Sequence, residues 1–200
     1  MAEERLKSPR ARLFIALDLP DTVRSGIVAW GRKALADPAL RRLGPESLHI
    51  TLAFLGYRPE RDIEELSTIV AEVGGQAPTI ELRDPVPRPQ RGRPRLFALP
   101  AQSPATIELQ AELQARLVAA RLYKPEKRPF WPHVTVARVR REERGSKRPA
   151  LVSQPPGPLS KALLQPLDAV RVGLYRSTIQ PQGAHYTPLA QVELPTDGRQ

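Results

Sequence analysis

Hydrophobic positions along the chain follow a period of two in some segments and a helical period in others. A strand exposes alternate side chains to one face, so alternating apolar runs rich in β-branched and aromatic residues predict strands. Such runs occupy Arg12–Leu19, Leu48–Leu55, Thr79–Arg83, Arg95–Leu99, His133–Val139, Val170–Ile179 and Tyr186–Leu194.

Helical spacing of apolar residues predicts three helices between these strands. The first runs from Asp21, a candidate N-cap, to about Ala36, and the second runs from Pro59 to Val73, where Gly74-Gly75 follows. The third starts at Pro104 behind the N-cap Ser103 and ends near Leu122.

The chain has 23 prolines, and many of them fall in two clusters, Asp84–Pro94 and Pro149–Pro166. Proline lacks an amide hydrogen and fixes φ, so neither cluster suits a regular helix or a central strand. We interpret both as extended connectors, the first near the midpoint of the chain, between two halves with similar element order. The whole pattern predicts an α+β fold with mainly antiparallel pairing.

Composition narrows the class of protein. The absence of cysteine excludes a disulfide scaffold, a zinc finger and a thiol nucleophile. No apolar run approaches the roughly 18 residues of a membrane helix, and the first residues contain no apolar signal segment, so we expect a soluble, cytoplasmic protein. The formal net charge of +10 favours a polyanionic partner such as nucleic acid, although a basic surface that only confers solubility explains it equally well.

Two of the three histidines lie in matching surroundings, His49-Ile50-Thr51-Leu52 and His133-Val134-Thr135-Val136. Strand alternation predicts that each histidine and its threonine share one face. The same alternation continues that face with the small residues Ala53 and Ala137 and sends Phe54 to the bulky, buried face. Two such strands, one from each half, would line a shared cleft.

Other interpretations of these histidines are open at this point. Each is compatible with a core histidine whose hydrogen bonds are satisfied. His185 also precedes a threonine by two residues, Thr187, but it lacks the apolar alternation, which favours coincidence or a residue at the rim. His-x-Thr is not a metal-ligand spacing, and no carboxylate cluster accompanies it, so no metal and no cofactor are predicted.

Paired histidines suit acid–base chemistry near neutral pH, with one imidazole taking a proton from water and one imidazolium giving a proton to a leaving oxygen. Threonine hydroxyls beside them can donate hydrogen bonds to phosphate oxygens. With a basic chain, a cyclic phosphodiester is the substrate class that this pattern favours. The near symmetry of the motifs leaves open which histidine is the acid and which is the base.

The chain resembles the two-histidine (HxTx) phosphoesterases, and within them the RNA 2′,3′-cyclic phosphodiesterases, also called 2′-5′ RNA ligases. The residues that carry the resemblance lie in the family's order between about residues 10 and 190. They are Arg12-Leu13-Phe14-Ile15-Ala16-Leu17, His49–Gly56, Phe130–Arg138, Leu174-Tyr175-Arg176-Ser177-Thr178 and Gly183-Ala184 with Tyr186. The Arg- and Pro-rich stretch 83–95 and the basic segment 140–148 depart from the family pattern.

The resemblance implies a bilobal, pseudo-twofold duplication with two mainly antiparallel sheets, outer helices and a central cleft. It implies one domain over residues 8–195, with motif 1 at 49–52 and motif 2 at 133–136, and flexible tails at 1–7 and 196–200. It further implies metal-independent hydrolysis of RNA 2′,3′-cyclic phosphate ends, or of cyclic nucleotides, to 2′-phosphomonoesters. By position, His49 is the proton donor, His133 is the proton acceptor, and Thr51 and Thr135 hold the phosphate.

Further residues are candidates for substrate binding. Phe14 and Phe130 are candidates to stack on a base, with core packing as the alternative. Arg138 is a candidate phosphate ligand, but strict alternation places it on the far face from His133, so this role requires a bulge. Tyr175 and Ser177 lie on one face of a predicted strand. They are candidates to reach the cleft, with ordinary pairing within the sheet as the alternative. The arginines of the stretch 83–95 are candidates for RNA contacts, with a solvated loop as the alternative.

Two other functions remain compatible with the sequence. The same site is suited to 2′-5′ RNA ligation, with an RNA hydroxyl in place of water. A non-catalytic nucleotide or RNA-binding module is the alternative from outside enzymes, although a matched acid and base is not needed for binding alone. We expect RNA or a cyclic nucleotide as partner, no membrane, no obligate protein partner and a monomer.

Overall fold

The computed structural model describes residues 9–180 and 183–196. The tails predicted at 1–7 and 196–200 therefore lie outside the described residues, except for Thr196. The strands are β1 Arg10–Asp18, β2 Leu40–Arg42, β3 His49–Pro59, β4 Thr79–Leu82, β5 Val86–Arg88, β6 Leu96–Gln102, β7 His133–Val139, β8 Leu167–Asp168, β9 Arg171–Gln180 and β10 Gly183–Glu193. The helices are α1 Asp21–Ala34, α2 Asp62–Ala71 and α3 Pro104–Ala119, with 3₁₀ turns at Pro45–Ser47 and Lys161–Leu164.

The strands pair in the order β10-β9-β1-β3-β7-β6-β4-β8, while β2 pairs with β7 and β5 pairs with β6. Every pairing between described strands is antiparallel. The predicted α+β class with mainly antiparallel pairing is confirmed, but the two predicted sheets are joined into one ten-stranded sheet among the described residues. One residue pair, Ile50 opposite Val134, joins β3 to β7 and so connects the two halves of the sheet.

The helices begin close to where the sequence places their N-termini. At α3 the Ser103 hydroxyl accepts a hydrogen bond from the Thr106 amide at 3.1 Å, as an N-cap does. At α1 the cap is Pro20, so the prediction of Asp21 as N-cap is wrong by one residue. Asp21 lies instead in the first turn, where its negative charge is favourable, and pairs with Arg24. The second helix starts at Asp62, later than predicted, because β3 continues through Pro59.

The two faces of β1 have different surroundings. Leu13, Ile15 and Leu17 are fully buried in the main hydrophobic core. Phe14 and Ala16 point to the other face and form a small separate cluster with Tyr175. A strand that buries every other side chain in the core directs the intervening side chains to the opposite face of the sheet.

Both histidine strands contain a β-bulge one residue after the threonine of the motif. In β3 the pairs Ile15–Ala53 and Ala16–Thr51 leave Leu52 as the extra residue. In β7 the pairs Phe97–Ala137 and Ala98–Thr135 leave Val136 as the extra residue. The carbonyl groups of both bulge residues have partners. The Gln110 amide nitrogen donates to the Leu52 oxygen at 3.4 Å, and the Leu43 amide donates to the Val136 oxygen at 3.0 Å.

The bulges reverse the alternation of side chains beyond each motif. Ala53 and Ala137 are therefore buried in the core, and the prediction that they continue the histidine face is wrong. Phe54, predicted to be buried, is 45% exposed and lies on the histidine face. Arg138 was predicted to reach the face of His133 only if the strand contained a bulge. The bulge at Val136 brings Arg138 to that face.

Three short strands lie outside the predicted set: β2, β5 and β8. β5 belongs to the first proline cluster and pairs only with β6, so it is an edge strand, the position in a sheet where proline is tolerated. The second proline cluster contains no helix or strand beyond the turn at Lys161–Leu164 before Pro166. No helix among the described residues is long and apolar enough to cross a bilayer.

Candidate active site

A cavity of about 110 Å³ opens where β3 and β7 meet, and it contains both histidine motifs. Its described lining combines imidazole, hydroxyl, guanidinium and aromatic groups: Arg12, Phe14, Leu43, Ser47, His49, Thr51, Phe54, His133, Thr135, Arg138 and Tyr186. The sequence-based prediction that each histidine shares a face with its threonine, and that the two strands line one cleft, is confirmed by this geometry. The pairing of Ile50 with Val134 explains it, since each is the residue between the histidine and threonine of its own motif.

His49 lies in an aromatic environment. The Phe14 ring stacks on it with centroids 5.0 Å apart and an interplanar angle of 24°, and the Tyr186 ring meets it edge-on at 5.5 Å. Burial lowers the pKa of the His49 imidazole to about 4, although a hydrogen bond to the Glu46 backbone opposes this shift. The charges of Arg24 and His133 lower the pKa further. The neutral ring is therefore favoured at pH 7.

His133 has a different environment. Its ring stacks on Trp131 with centroids 4.2 Å apart and an interplanar angle of 15°, and the Arg88 guanidinium lies 3.7 Å from the centroid of the Trp131 ring. Burial lowers the pKa of His133, a hydrogen bond to the Trp131 backbone opposes the shift, and the Arg88 charge reinforces it. This histidine is held neutral by burial and by a nearby cation.

The tautomer of His133 follows from one hydrogen bond. Its Nδ1 lies 2.7 Å from the Trp131 carbonyl oxygen. A carbonyl oxygen only accepts hydrogen bonds, so Nδ1 carries the hydrogen and donates it. The lone pair of the neutral ring is then on Nε2, the nitrogen that is free to accept a proton.

Two arginines complete the polar lining of the cleft. Arg138 is exposed and lies beside His133 and Thr135 in the lining. Arg12 is fixed from two sides, because its Nη1 donates to the Ser177 hydroxyl at 2.8 Å and its guanidinium lies 4.7 Å from the centroid of the Phe54 ring. Thr51, Thr135 and these guanidinium groups together form a set of donors suited to the oxygens of one phosphate.

The two phenylalanines predicted to bind substrate lie in different places. Phe14 lines the cleft and is packed between His49 and the Tyr175 ring, which stacks on it at 5.4 Å. Phe130 packs against the main core and lines a neighbouring cavity of about 450 Å³, which also reaches Thr51 and His133. Both are therefore adjacent to the motifs, and only Phe14 is among the residues that line the cleft itself.

Tyr175 and Ser177 do not line the cleft. Tyr175 donates a hydrogen bond to Asp18 at 2.5 Å and accepts one from Gln191 at 2.9 Å, in a second cavity of about 220 Å³ behind His49. Burial raises the pKa of Tyr175, and burial also raises that of Asp18. Ser177 is buried and contributes indirectly, through its hydrogen bond to Arg12.

Trp131 was not assigned a role by the sequence, whereas Arg88 and Arg93 were candidates only for RNA contacts, as part of the stretch 83–95. Trp131 directly precedes the Pro-His of motif 2, and its place two residues before His133 on an extended segment is the signal that predicts its contact. Arg88 comes from the stretch 83–95 and reaches Trp131 only through the fold. Arg93 of the same stretch pairs with Glu142 and also donates to the Pro149 carbonyl, so it connects this stretch to the basic segment.

Metal-binding groups were sought among the described residues. There, no three or more His, Asp or Glu side chains lie together in a group that suits a metal ion. The donors gathered at the cleft are instead imidazole, hydroxyl and guanidinium groups, which suit an anion.

The sequence is similar to a known protein family and to individual curated proteins. The profile of the "2′-5′ RNA ligase superfamily" matches residues 19–166. A curated protein of Thermus thermophilus named RNA 2′,3′-cyclic phosphodiesterase is 30% identical over 92% of this chain and 90% of its own length. A protein of Escherichia coli with the same name is 30% identical over 89% of this chain and 93% of its own length.

Solved structures give the same result for the fold. The crystal structure of TT0787 of Thermus thermophilus superposes with a TM-score of 0.74 at 29% identity, covering 93% of this chain and 99% of that one. The structure of E. coli LigT complexed with 3′-AMP superposes with a TM-score of 0.71 at 28% identity, with the same coverage of 93% and 99%.

Proposed function

This chain belongs to the 2′-5′ RNA ligase superfamily, and on that basis we propose that it hydrolyses the 2′,3′-cyclic phosphate at the end of an RNA to a 2′-phosphomonoester. The predicted family is confirmed by the profile match, and the predicted enzyme class is confirmed by the curated relatives, which carry the name RNA 2′,3′-cyclic phosphodiesterase. The observation that carries the proposal is the single cleft that contains both His-x-Thr motifs.

The reaction follows from the groups in the cleft and needs no metal ion. Nε2 of His133 accepts a proton from a water molecule, whose oxygen attacks phosphorus. The bond between phosphorus and the 3′ oxygen breaks, and that oxygen takes a proton from His49. Thr51, Thr135 and Arg138 donate hydrogen bonds to the non-bridging oxygens, where negative charge increases in the transition state.

The hydrogen bond of His133 supports its role as the base, since Nδ1 is committed to the Trp131 carbonyl and Nε2 is left to accept. The acid role of His49 requires it to be protonated, whereas burial lowers its pKa to about 4. A phosphodiester anion beside the ring favours the imidazolium. His49 therefore gains its proton together with the substrate.

We propose that the described residues form one bilobal domain with internal pseudo-twofold symmetry, within the predicted range 8–195. Three features support the duplication. The two halves meet at equivalent motif positions, Ile50 and Val134, and each motif is followed by a bulge at an equivalent position. Phe54 and Arg138, five residues after their histidines, both line the cleft.

The partner that we propose is RNA with a cyclic phosphate end, and cyclic nucleotides are the small-molecule equivalent. Ligation through the same site stays the alternative, because an RNA hydroxyl in place of water gives the reverse reaction. A cytoplasmic location, a monomeric state and the absence of a cofactor stay predictions.

The direct test is to incubate the protein with an RNA that ends in a 2′,3′-cyclic phosphate, in the presence of EDTA, and to identify the position of the product phosphate. We expect a 2′-phosphate, and we expect His49→Ala and His133→Ala each to lower turnover by at least about a hundredfold. Arg61→Ala is the control, since Arg61 is exposed at the start of α2 and lines neither the cleft nor its surroundings. Loss of activity in EDTA, or full activity in either cleft variant, contradicts the proposal.

A further inference from the structure

A groove of about 590 Å³ continues from the catalytic cleft toward the end of the β9–β10 hairpin. The groove and the cleft share several lining residues, among them Arg12, Arg138 and Tyr186. One wall contains β2 residues and the turn at Pro45–Ser47, and the other wall contains hairpin residues that include His185. A ligand held between the two motifs can therefore extend into the groove without displacing protein.

The groove is strongly basic. Among the described residues, four arginines line it, namely Arg12, Arg41, Arg42 and Arg138. Among its described lining residues the one carboxylate is that of Glu46. The third histidine, His185, which the motif analysis left without a role, is exposed at the same groove.

Two of these arginines are placed against each other. Arg41 of β2 lies directly opposite Arg138 of β7 in the antiparallel register. Like charges in opposed positions on neighbouring strands destabilise a sheet. Within residues 9–180 and 183–196 neither side chain forms an ion pair, whereas surface arginines elsewhere do, such as Arg58 with Asp62. An anion between Arg41 and Arg138 relieves their repulsion.

The chemistry of the substrate identifies that anion. A nucleotide whose 2′ and 3′ oxygens are closed in a cyclic phosphate is joined to the rest of an RNA only through its 5′ phosphate. The strand that leaves the cleft therefore carries phosphodiesters from its first linkage onward. We infer that the groove binds the 5′-flanking phosphodiesters of single-stranded RNA whose cyclic end lies between His49 and His133, an inference that rests on the proposed function.

The first test compares two substrates, a 2′,3′-cyclic mononucleotide and a tetranucleotide that ends in a 2′,3′-cyclic phosphate. We expect Arg41→Gln to lower the ratio of kcat/KM for the tetranucleotide over that for the mononucleotide by about five- to tenfold. Loss of one contact to single-stranded RNA should also reduce the slope of log kcat/KM against log salt by about 0.7 for the tetranucleotide. An unchanged ratio in Arg41→Gln overturns the inference.

The matched control is Arg61→Gln, which removes the same charge from an exposed side chain at the start of α2. It should leave both the ratio and the salt slope as in the wild type. If Arg61→Gln lowers the ratio as much as Arg41→Gln does, the effect comes from net charge and the groove is not a specific site.

A second measurement separates the groove from the chemistry. Fluorescence anisotropy of a labelled single-stranded RNA with a 3′-terminal phosphate reports binding without turnover. We expect Arg41→Gln to weaken this binding about fivefold relative to wild type and to Arg61→Gln. If the wild type hydrolyses neither cyclic substrate, the proposed function fails while this measurement still decides the groove. Equal affinity in all three proteins means that RNA does not use the groove.

Discussion

The two histidines are the first residues of β3 and β7 and begin the same His-x-Thr motif, yet their surroundings differ. His49 is enclosed by the rings of Phe14 and Tyr186. His133 stacks on Trp131, with the Arg88 guanidinium on that tryptophan. Burial lowers the pKa of both imidazoles, so the strand geometry alone does not make one an acid and the other a base. What distinguishes the two rings is the hydrogen bond from Nδ1 of His133 to the Trp131 carbonyl, which leaves Nε2 of that ring to accept a proton.

The largest expected effect tests the division of labour between the two histidines. In a phosphodiester of p-nitrophenol, the p-nitrophenolate leaving group departs without being protonated. Hydrolysis of this substrate therefore does not need a general acid. We expect His49→Ala to lose at least about a hundredfold on the cyclic phosphate and less than about tenfold on the activated diester, whereas His133→Ala loses activity on both. The measurement is kcat/KM for each variant on each substrate. The opposite pattern would exchange the two roles.

The next effect concerns folding stability below neutral pH. His49 has a pKa of about 4 in the folded protein and an ordinary value of 6.5, so the unfolded chain binds its proton first. The contribution of the neutral ring is complete above pH 6.5 and is lost as the pH falls toward 4. One pKa unit corresponds to about 1.4 kcal/mol, so acidification through this window removes up to about 3 kcal/mol of unfolding free energy.

Urea unfolding at pH 7.5 and at pH 4.5 measures this loss. The variant His49→Phe has no titratable ring there and should lose less stability than the wild type across the same window. Arg61→Gln, at an exposed position that does not line the cleft, provides the control and should lose as much stability as the wild type. An identical pH dependence in wild type and His49→Phe would mean that the ring is not held neutral by folding.

The smallest expected effect concerns the support of His133. Arg88→Gln removes a positive charge that lowers the pKa of His133, so that pKa should rise and the acid limb of the pH–kcat/KM profile should move to higher pH. Arg88→Lys keeps the charge and should keep the wild-type profile. A normal profile in Arg88→Gln would show that the cation does not act on His133.

Trp131→Ala removes the ring on which His133 stacks. We expect about a tenfold loss in kcat, because His133 is then misplaced.

The comparison also explains what the sequence could predict. Strand alternation was sufficient to place each histidine with its threonine, because the segment from histidine to threonine is three residues long and lies before the bulge. Beyond Leu52 and Val136 the alternation reverses, because each bulge adds one residue to its strand. Whether a bulge forms depends on the partner strand, so the local sequence pattern does not predict it. For this reason Ala53 and Phe54 were assigned to the wrong faces, and Arg138 was assigned to the cleft only on condition of a bulge.

Contacts that cross between elements were harder to predict. Tyr175 was a candidate to reach the cleft, with pairing within the sheet as the alternative, but its hydroxyl donates to Asp18 and does not line the cleft. Arg88 lies in a proline-rich stretch that was interpreted as a connector, and only the pairing of β5 with β6 brings it to Trp131. Such positions depend on which strands become neighbours, and that choice is made by the whole core.

The single residue pair between β3 and β7 has a consequence for how the two imidazoles are held. Because Ile50 and Val134 pair within one sheet, the two imidazoles are positioned by adjacent backbone strands and not by separate lobes that must first approach each other. The spacing between the two imidazoles is then set by the sheet itself, since core strands open locally far less often than loops do. A ligand that enters the cleft therefore meets both imidazoles already side by side.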